Sequence, residues 1–120
     1  MPTRTDSLKD HLSQADEITI TVTGRKSGRA ISNTVWFVVE GDTLYLVPVQ
    51  GSDTQWYKNV HKNPTIRVGA EGAEGEFRAT AITDAKEVAS IVDKFREKYG
   101  EGDVKKYYSK FDVAVRVPLS

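Results

Sequence analysis

Short stretches in which apolar and polar residues alternate recur along this chain and predict β-strands. In the first of them, Ile18, Ile20 and Val22 alternate with threonines, which is the period of a strand with one buried face. Polar turns such as Gly41-Asp42 separate this stretch from others like it. Six strands are predicted in this way, at residues 17–23, 31–39, 43–49, 65–69, 75–82 and 111–117.

Helical spacing and the positions of prolines complete the predicted secondary structure. Apolar residues from Val88 to Tyr99 repeat at helical spacing after a capping sequence that begins at Thr83. Pro48 predicts that the third strand ends there or lies at a sheet edge, because proline cannot donate to the ladder. Helices are predicted at residues 6–14, 55–62 and 83–99, with a further helical turn at 103–109.

The start of the second helix is the least regular part of this pattern. Residues 51–54 are polar and contain a glycine, and Ser52 or Asp53 is the expected N-cap. Asn63-Pro64 ends the helix, because the residue before a proline avoids helical backbone angles.

The order of the elements predicts a mainly β protein of the α+β class. Six short strands with one long late helix suit a small antiparallel barrel, closed or partly closed, with flanking helices. A parallel sheet would need a helix between successive strands. At 120 residues the chain suits one domain, residues 1–120.

Composition narrows the function classes. The 17 basic residues balance 17 acidic ones, so no overall field attracts nucleic acid, and an anion site must be local. The absence of cysteine excludes disulfides, thiolate metal ligands and a cysteine nucleophile. His11 and His61 stand apart with no carboxylate at ligand spacing, so no metal site is expected. No apolar run predicts export or a membrane span, and the expected location is the cytoplasm.

The turn after the first strand is the main candidate for binding chemistry. It concentrates Arg25, Lys26 and Arg29 with Ser27, between glycines that let backbone N–H groups approach a ligand. Arginine pairs bidentately with phosphate or carboxylate, and lysine adds a point charge. The alternative from the residues alone is a solvated hairpin tip.

Aromatic residues and a helix start supply further candidates. Trp36 and Trp56 offer flat surface that can border a ring-shaped ligand, although both can equally be core. A phenol at Tyr107 or Tyr108 can donate a hydrogen bond or a proton to a substrate carbonyl. Residues 51–54 can bind an anion at a helix N-terminus or simply cap that helix.

Several linked motifs resemble one known family. They are Thr23-Gly24-Arg25-Lys26-Ser27-Gly28-Arg29, Val35-Trp36-Phe37-Val38, Gly41-Asp42, Trp56-Tyr57-Lys58-Asn59-Val60 and Asn63-Pro64. In this order and spacing the chain resembles the deazaflavin-dependent nitroreductase and quinone reductase family. The resemblance implies a split β-barrel related to the flavin-binding pyridoxamine-phosphate oxidase fold. It also implies hydride transfer from reduced coenzyme F-420, a deazaflavin, to a quinone, nitro compound or enone.

Roles for individual residues follow from the same resemblance. Four residues of the turn, Arg25, Lys26, Ser27 and Arg29, correspond to the family's motif for the anionic tail of the cofactor. The segment from Val49 through Gln50 and Gly51 to Trp56 corresponds to its second phosphate and ring contacts, and Trp36 is expected to border the ring. Tyr107 or Tyr108 is expected to border the small-molecule acceptor as the catalytic side chain.

Two alternatives stay open at this point. Some relatives have a lysine in the segment that holds Gln50 here, and the missing charge leaves flavin mononucleotide (FMN) as an alternative cofactor. Without a certain acid or base, the chain can also be a non-catalytic module that binds or stores the cofactor. Related barrels pair through exposed strands, so a homodimer is a further expectation.

Overall fold

The computed structural model describes residues 12, 15–70 and 73–119. These residues form eight strands, three α-helices and one turn of 3-10 helix. The strands are β1 (Ile18–Thr23), β2 (Ala30–Val35), β3 (Val38–Glu40), β4 (Thr43–Leu46), β5 (Thr65–Ala70), β6 (Ala73–Arg78), β7 (Thr80–Ile82) and β8 (Ala114–Pro118). The helices are α1 (Gln55–Lys62), α2 (Ala85–Tyr99) and α3 (Glu101–Tyr107), and the 3-10 turn is Gly51–Asp53.

The strands form two antiparallel sheets of four strands each. The order is β2-β1-β5-β6 in the first sheet and β3-β4-β8-β7 in the second. The mixed α+β class is therefore confirmed, whereas the prediction of six strands is wrong. Closure of the two sheets into a split barrel, and a single domain over residues 1–120, stay predictions.

The strand count differs because two predicted strands are each divided between the sheets. The segment at 31–39 breaks at Trp36-Phe37, so that β2 pairs with β1 and β3 pairs with β4. The segment at 75–82 breaks at Ala79 in the same way, between β6 and β7. Phe37 and Ala79 are both buried at these crossings. The apolar pattern shows no polar interruption at either break: residues 35–39 are a continuous apolar run, and Phe77, Ala79 and Ala81 alternate with polar residues.

The main core lies between the two sheets. Alternate residues of β1 and β5, including Ile20 and Val68, face residues of β4 and β8, including Leu44 and Val115, and these four are fully buried. The spacing of apolar residues along β1 and β5 thus predicted the buried faces of these strands correctly. Leu12 belongs to this core, while the rest of the predicted helix at 6–14 lies outside the described residues.

The ends of two helices and of β4 determine where the connecting segments begin. Asp84 caps α2 by accepting a hydrogen bond from the Glu87 backbone N–H, which confirms that capping prediction. The prediction for α1 is wrong, because its N-cap is Thr54 rather than Ser52 or Asp53. The Thr54 hydroxyl instead accepts from the Gln50 N–H at 2.9 Å. β4 ends at Leu46, before Pro48, and lies inside its sheet rather than at an edge.

Candidate functional site

The basic turn between β1 and β2 has a compact backbone. The Gly24 N–H donates to the Arg29 carbonyl at 2.8 Å, and the Gly28 N–H donates back to Gly24 at 2.9 Å. Gly28 has a φ of 70°, a conformation that glycine adopts without strain. Ser27 accepts from the Arg29 N–H within the turn. The turn is therefore built by its own hydrogen bonds, which fix its backbone.

Two side chains of helix α1 hold Arg25, a residue of this turn, in place. Its guanidinium donates to Asn59 Oδ1 at 2.8 Å and to Gln55 Oε1 at 2.9 Å, and its backbone N–H donates to the same Asn59 oxygen at 3.1 Å. Asn59 is only 4% exposed, so its amide oxygen depends on these bonds for solvation. Because guanidinium carries five N–H donors, three remain for a ligand.

A cavity of about 360 Å³, here called the basic pocket, opens beside Arg25. Arg25 and Lys26 line it, and none of the described residues that line it is acidic. Ser27 lines it as well, whereas Arg29 does not. The structure thus brings three of the four predicted tail-binding residues to one cavity.

A larger cavity of about 530 Å³, the aromatic pocket, continues from the basic one. The two cavities share three lining residues, Asn33, Gln55 and Trp56, and together form one groove. Trp36, Val49, Trp56, Tyr107 and Tyr108, all candidates from the sequence, line the aromatic pocket. A groove with one apolar aromatic end and one cationic end can hold a flat ring that carries an anionic tail.

Trp36 is the centre of an aromatic cluster at the end of this groove. Its ring stacks on Tyr99 with centroids 4.2 Å apart and planes 7° from parallel. Tyr107 meets it edge-on at 5.5 Å, and Tyr108 lies at 5.9 Å. Tyr107 is 54% exposed, whereas Tyr108 is buried. The cluster therefore fixes the orientation of Trp36 while leaving one phenol accessible.

The last turn of α2 holds the backbone next to Trp36. The Tyr99 hydroxyl accepts from the Phe37 N–H at 3.1 Å and contacts the carbonyl oxygens of Phe37 and Asp16 at 2.9 and 2.7 Å. Lys98 donates to the Phe37 carbonyl at 2.9 Å, and its Nζ lies 3.6 Å from the Phe37 ring centroid. Burial lowers the pKa of Lys98. These contacts fix the point at which the chain passes from one sheet to the other.

Burial also sets the proton affinity of the tyrosines. It raises the pKa of Tyr99 to about 12 and raises the pKa of Tyr108 as well, because a phenolate loses solvation in the interior. At neutral pH the Tyr108 hydroxyl is therefore a hydrogen-bond donor that holds its proton. A phenol with a raised pKa donates a hydrogen bond more readily than it releases its proton.

The segment of Val49, Gln50 and Gly51 is only partly at the groove. Val49 lines the aromatic pocket, but Gln50 and Gly51 line neither pocket. A Cβ at Gly51, where φ is 57°, would collide with the Asp112 carboxylate. That carboxylate accepts from the Ser52 N–H at 2.9 Å and from its hydroxyl at 2.6 Å. The Asp112 side chain therefore occupies the space beside this backbone.

Sequence reasoning missed three residues that matter at the groove. Asn59 anchors Arg25, Asp112 fills the space beside Gly51, and Glu17 lines the aromatic pocket. Asn59 offered one signal, since it lies one helical turn from Gln55 on the face of α1 that carries buried residues. Asp112 and Glu17 gave none, because a lone carboxylate near a strand end is ordinary surface.

Two structural findings bear on other classes of site. In residues 12, 15–70 and 73–119, no three histidine, cysteine, aspartate or glutamate side chains come together as a metal site. No helix in that part of the chain is both long and apolar enough to cross a bilayer.

We expect Tyr99→Phe to destabilise the protein by about 1–3 kcal/mol at neutral pH, since the Phe37 N–H loses its acceptor. Because burial raises the Tyr99 pKa in the folded state, this residue stabilises fully below about pH 10 and progressively less as pH rises toward about 12. The difference in free energy of unfolding between wild type and variant should narrow over that range in urea titrations. A difference that is constant with pH would contradict the assignment.

These features together describe an α+β protein with two four-stranded antiparallel sheets and a groove that has an aromatic end and a cationic end. The match to a family model then identifies it: residues 3–120 match F420H2-dependent quinone reductase, and the chain belongs to that family. F420H2 is the reduced form of coenzyme F-420. The resemblance seen in the sequence is confirmed, and family membership supports an F420-dependent oxidoreductase.

Solved structures show the same fold at low sequence identity. An F420-H2 dependent reductase, FDR-A, is 22% identical with a TM-score of 0.67, covering 85% of this chain and 93% of its own. The heme storage protein HutZ from Vibrio cholerae is 12% identical with a TM-score of 0.71, covering 93% and 87%. A domain-swapped dimer is 19% identical with a TM-score of 0.67, covering 96% and 99%. No curated protein matches the chain significantly.

The residues present fit a deazaflavin. The aromatic pocket of about 530 Å³ is of the size that holds a cofactor ring system, and the basic pocket beside it offers the free donors of Arg25 and Lys26. Gln50 lines neither pocket.

Proposed function

We propose that this protein uses a reduced deazaflavin to reduce an electron-poor organic acceptor such as a quinone, a nitro compound or an enone. The observation that carries the proposal is the continuous groove, whose aromatic and basic ends share Asn33, Gln55 and Trp56. Membership of the F420H2-dependent quinone reductase family supports the redox chemistry. When bound, the reduced cofactor supplies a hydride from its ring carbon and a proton, which together convert a quinone into a hydroquinone.

The protein's own residues bind and orient in this proposal. Arg25 and Lys26 pair with the anionic tail, and Ser27 adds a hydroxyl donor. Trp36 and Trp56 form apolar walls that keep water from the ring. Tyr108 donates a hydrogen bond to an acceptor carbonyl from inside the pocket, and Tyr107 closes the exposed side.

Deazaflavin is favoured over FMN by the family, and FMN stays the alternative that an experiment must test. Binding or storage without turnover is the second alternative, since HutZ, a heme storage protein, shares the fold. A homodimer and a cytoplasmic location remain proposals. A solved domain-swapped dimer of this fold supports the first of them.

The proposal is tested by titrating the protein with coenzyme F-420 and with FMN, followed by the fluorescence of Trp36 and Trp56. Reduced cofactor is then supplied with menadione and with a nitroaromatic compound. We expect at least about tenfold tighter binding of the deazaflavin, because its tail carries more negative charge to the basic pocket. We also expect multiple turnovers with at least one acceptor.

Each other outcome selects an alternative. Tight binding with no turnover across a broad acceptor panel favours a storage protein. Tighter binding and turnover with FMN favours a flavin reductase. Unchanged tryptophan fluorescence with both cofactors would contradict the groove as a cofactor site.

A further inference from the structure

The groove has opposite charges at its two ends. Arg25 and Lys26 line the end that follows the last residue of β1. Glu17, which immediately precedes β1, lines the other end. At about 3.3 Å per residue, the six residues of β1 place these charges roughly 20 Å apart. The aromatic pocket therefore carries a negative charge, and the basic pocket carries positive charge.

Glu17 is the charged residue of the aromatic pocket. Every other described residue that lines this pocket is neutral at pH 7. Within the described residues Glu17 makes no hydrogen bond or ion pair, so its carboxylate is available to a ligand.

The neighbouring charges leave this end of the groove negative. Asp16 lies next to Glu17 in the chain and is exposed. Lys98 is the nearby cation, but its Nζ is bound to the Phe37 carbonyl at 2.9 Å over the Phe37 ring, and it does not line the pocket. Among the described residues, the carboxylates of Asp16 and Glu17 thus lie near one ammonium group, that of Lys98, which donates to the Phe37 carbonyl.

We infer that Glu17 selects the electron acceptor by charge: the aromatic pocket takes neutral and cationic acceptors and disfavours anionic ones. This inference rests on the proposed function. An acceptor seated beside Trp36 shares this pocket with the Glu17 carboxylate, and like charges repel at short range. Because Glu17 is exposed, the effect is moderate and salt weakens it.

The test compares three acceptors with the same ring system: menadione, a sulfonated naphthoquinone and a naphthoquinone with a trimethylammonium group. The measured quantity is kcat/KM for each at low ionic strength. In Glu17→Gln we expect the ratio of the neutral to the sulfonated acceptor to fall about twofold to fivefold. In Glu17→Lys the ratio should fall further, and the cationic acceptor should become the poorest. Added salt should reduce these differences.

The matched control is Glu76→Gln, which makes the same charge change on an exposed residue of β6 that lines neither pocket. It should leave the acceptor ratios unchanged. Equal ratios in wild type and both Glu17 variants would overturn the inference, as would an equal shift in the Glu76 control.

A second measurement separates this inference from the proposed function. Quenching of tryptophan fluorescence by the same three quinones reports binding without turnover. If binding shows the charge preference and no acceptor is reduced, the reductase proposal fails and charge selection stands. If acceptors are reduced but neither binding nor kcat/KM depends on Glu17, charge selection fails and the reductase stands.

Discussion

Replacing Arg25 with alanine should weaken deazaflavin binding by about 10- to 100-fold, the equivalent of one or two charge-assisted hydrogen bonds. The guanidinium both lines the basic pocket and joins the turn to α1 through Asn59 and Gln55. Its loss therefore removes a cation and the guanidinium donor to the buried Asn59 oxygen, which keeps only the backbone N–H of residue 25 as a donor. Thermal denaturation should show a lower midpoint for the same variant.

Three further variants define what Arg25 contributes. Arg25→Lys keeps the charge but loses the planar fork, so we expect intermediate affinity. Lys26→Ala should weaken binding less, because the Lys26 side chain is exposed and unpaired among the described residues. Arg78→Ala, an exposed cation at the end of β6 and outside both pockets, is the matched control. Equal affinity for wild type and an Arg25→Ala/Lys26→Ala double variant would rule out the role in binding the tail.

Phe37→Ala should lower the free energy of unfolding by about 3–5 kcal/mol, the usual cost of removing a buried phenylalanine side chain. Phe37 is 0% exposed and stands at the crossing between the sheets. For a chain of this size the thermal midpoint should fall by roughly 10–20 °C. Lys98 and Tyr99 hydrogen-bond to the backbone of residue 37, and the substitution should make this segment more mobile. The orientation of Trp36 should then be less fixed, and its fluorescence should change.

Phe111→Ala is the control for this variant, since Phe111 is 37% exposed. It also removes an aromatic ring, with its contacts to Tyr108 and Arg96, but leaves a smaller cavity. We expect it to lose less than half as much stability in urea titrations. A loss of free energy of unfolding as large as that of Phe37→Ala would show that the crossing between the sheets contributes no more to stability than a partly exposed ring.

The sequence predicted the buried faces of β1 and β5 and the bounds of several elements because local periodicity determines them. The bounds of α1 were predicted to the residue, and β1 to within one. The two breaks at Trp36-Phe37 and Ala79 could not be predicted, since no polar residue or turn signal interrupts the apolar pattern there. The strand divides because its first part pairs with β1 and its second part pairs with β4, in different sheets.

The candidate site was predictable where one short segment carries it. Arg25, Lys26 and Ser27 share a turn, and the resemblance named them together with Trp36 and Trp56, which the structure places along the same groove. Asn59 and Arg25 stand 34 positions apart, and this contact depends on how α1 packs beside the turn. Glu17 reaches the groove only because β1 and β2 pair in the observed register.

Residues 50–53 show a different limit of sequence reasoning. A glycine with polar neighbours before a helix is typical of an anion site and equally typical of a packed turn. The structure places the Asp112 carboxylate against Gly51 and Ser52. An acidic side chain from the segment just before β8 therefore occupies the place where an anion would bind. Only the three-dimensional fold shows that Asp112, which lies 60 positions after Ser52 in the chain, packs against this turn.

The interleaving of the two sheets has a consequence for how the chain must fold. The first sheet takes strands β1, β2, β5 and β6, and the second takes β3, β4, β7 and β8, so neither sheet is a continuous piece of chain. A nascent chain that has been synthesised only to Arg78 holds the whole first sheet but lacks β8, which supplies one wall of the core. Folding must therefore wait for the C-terminal strand and proceed as one cooperative event, with the slow kinetics of distant strand pairing.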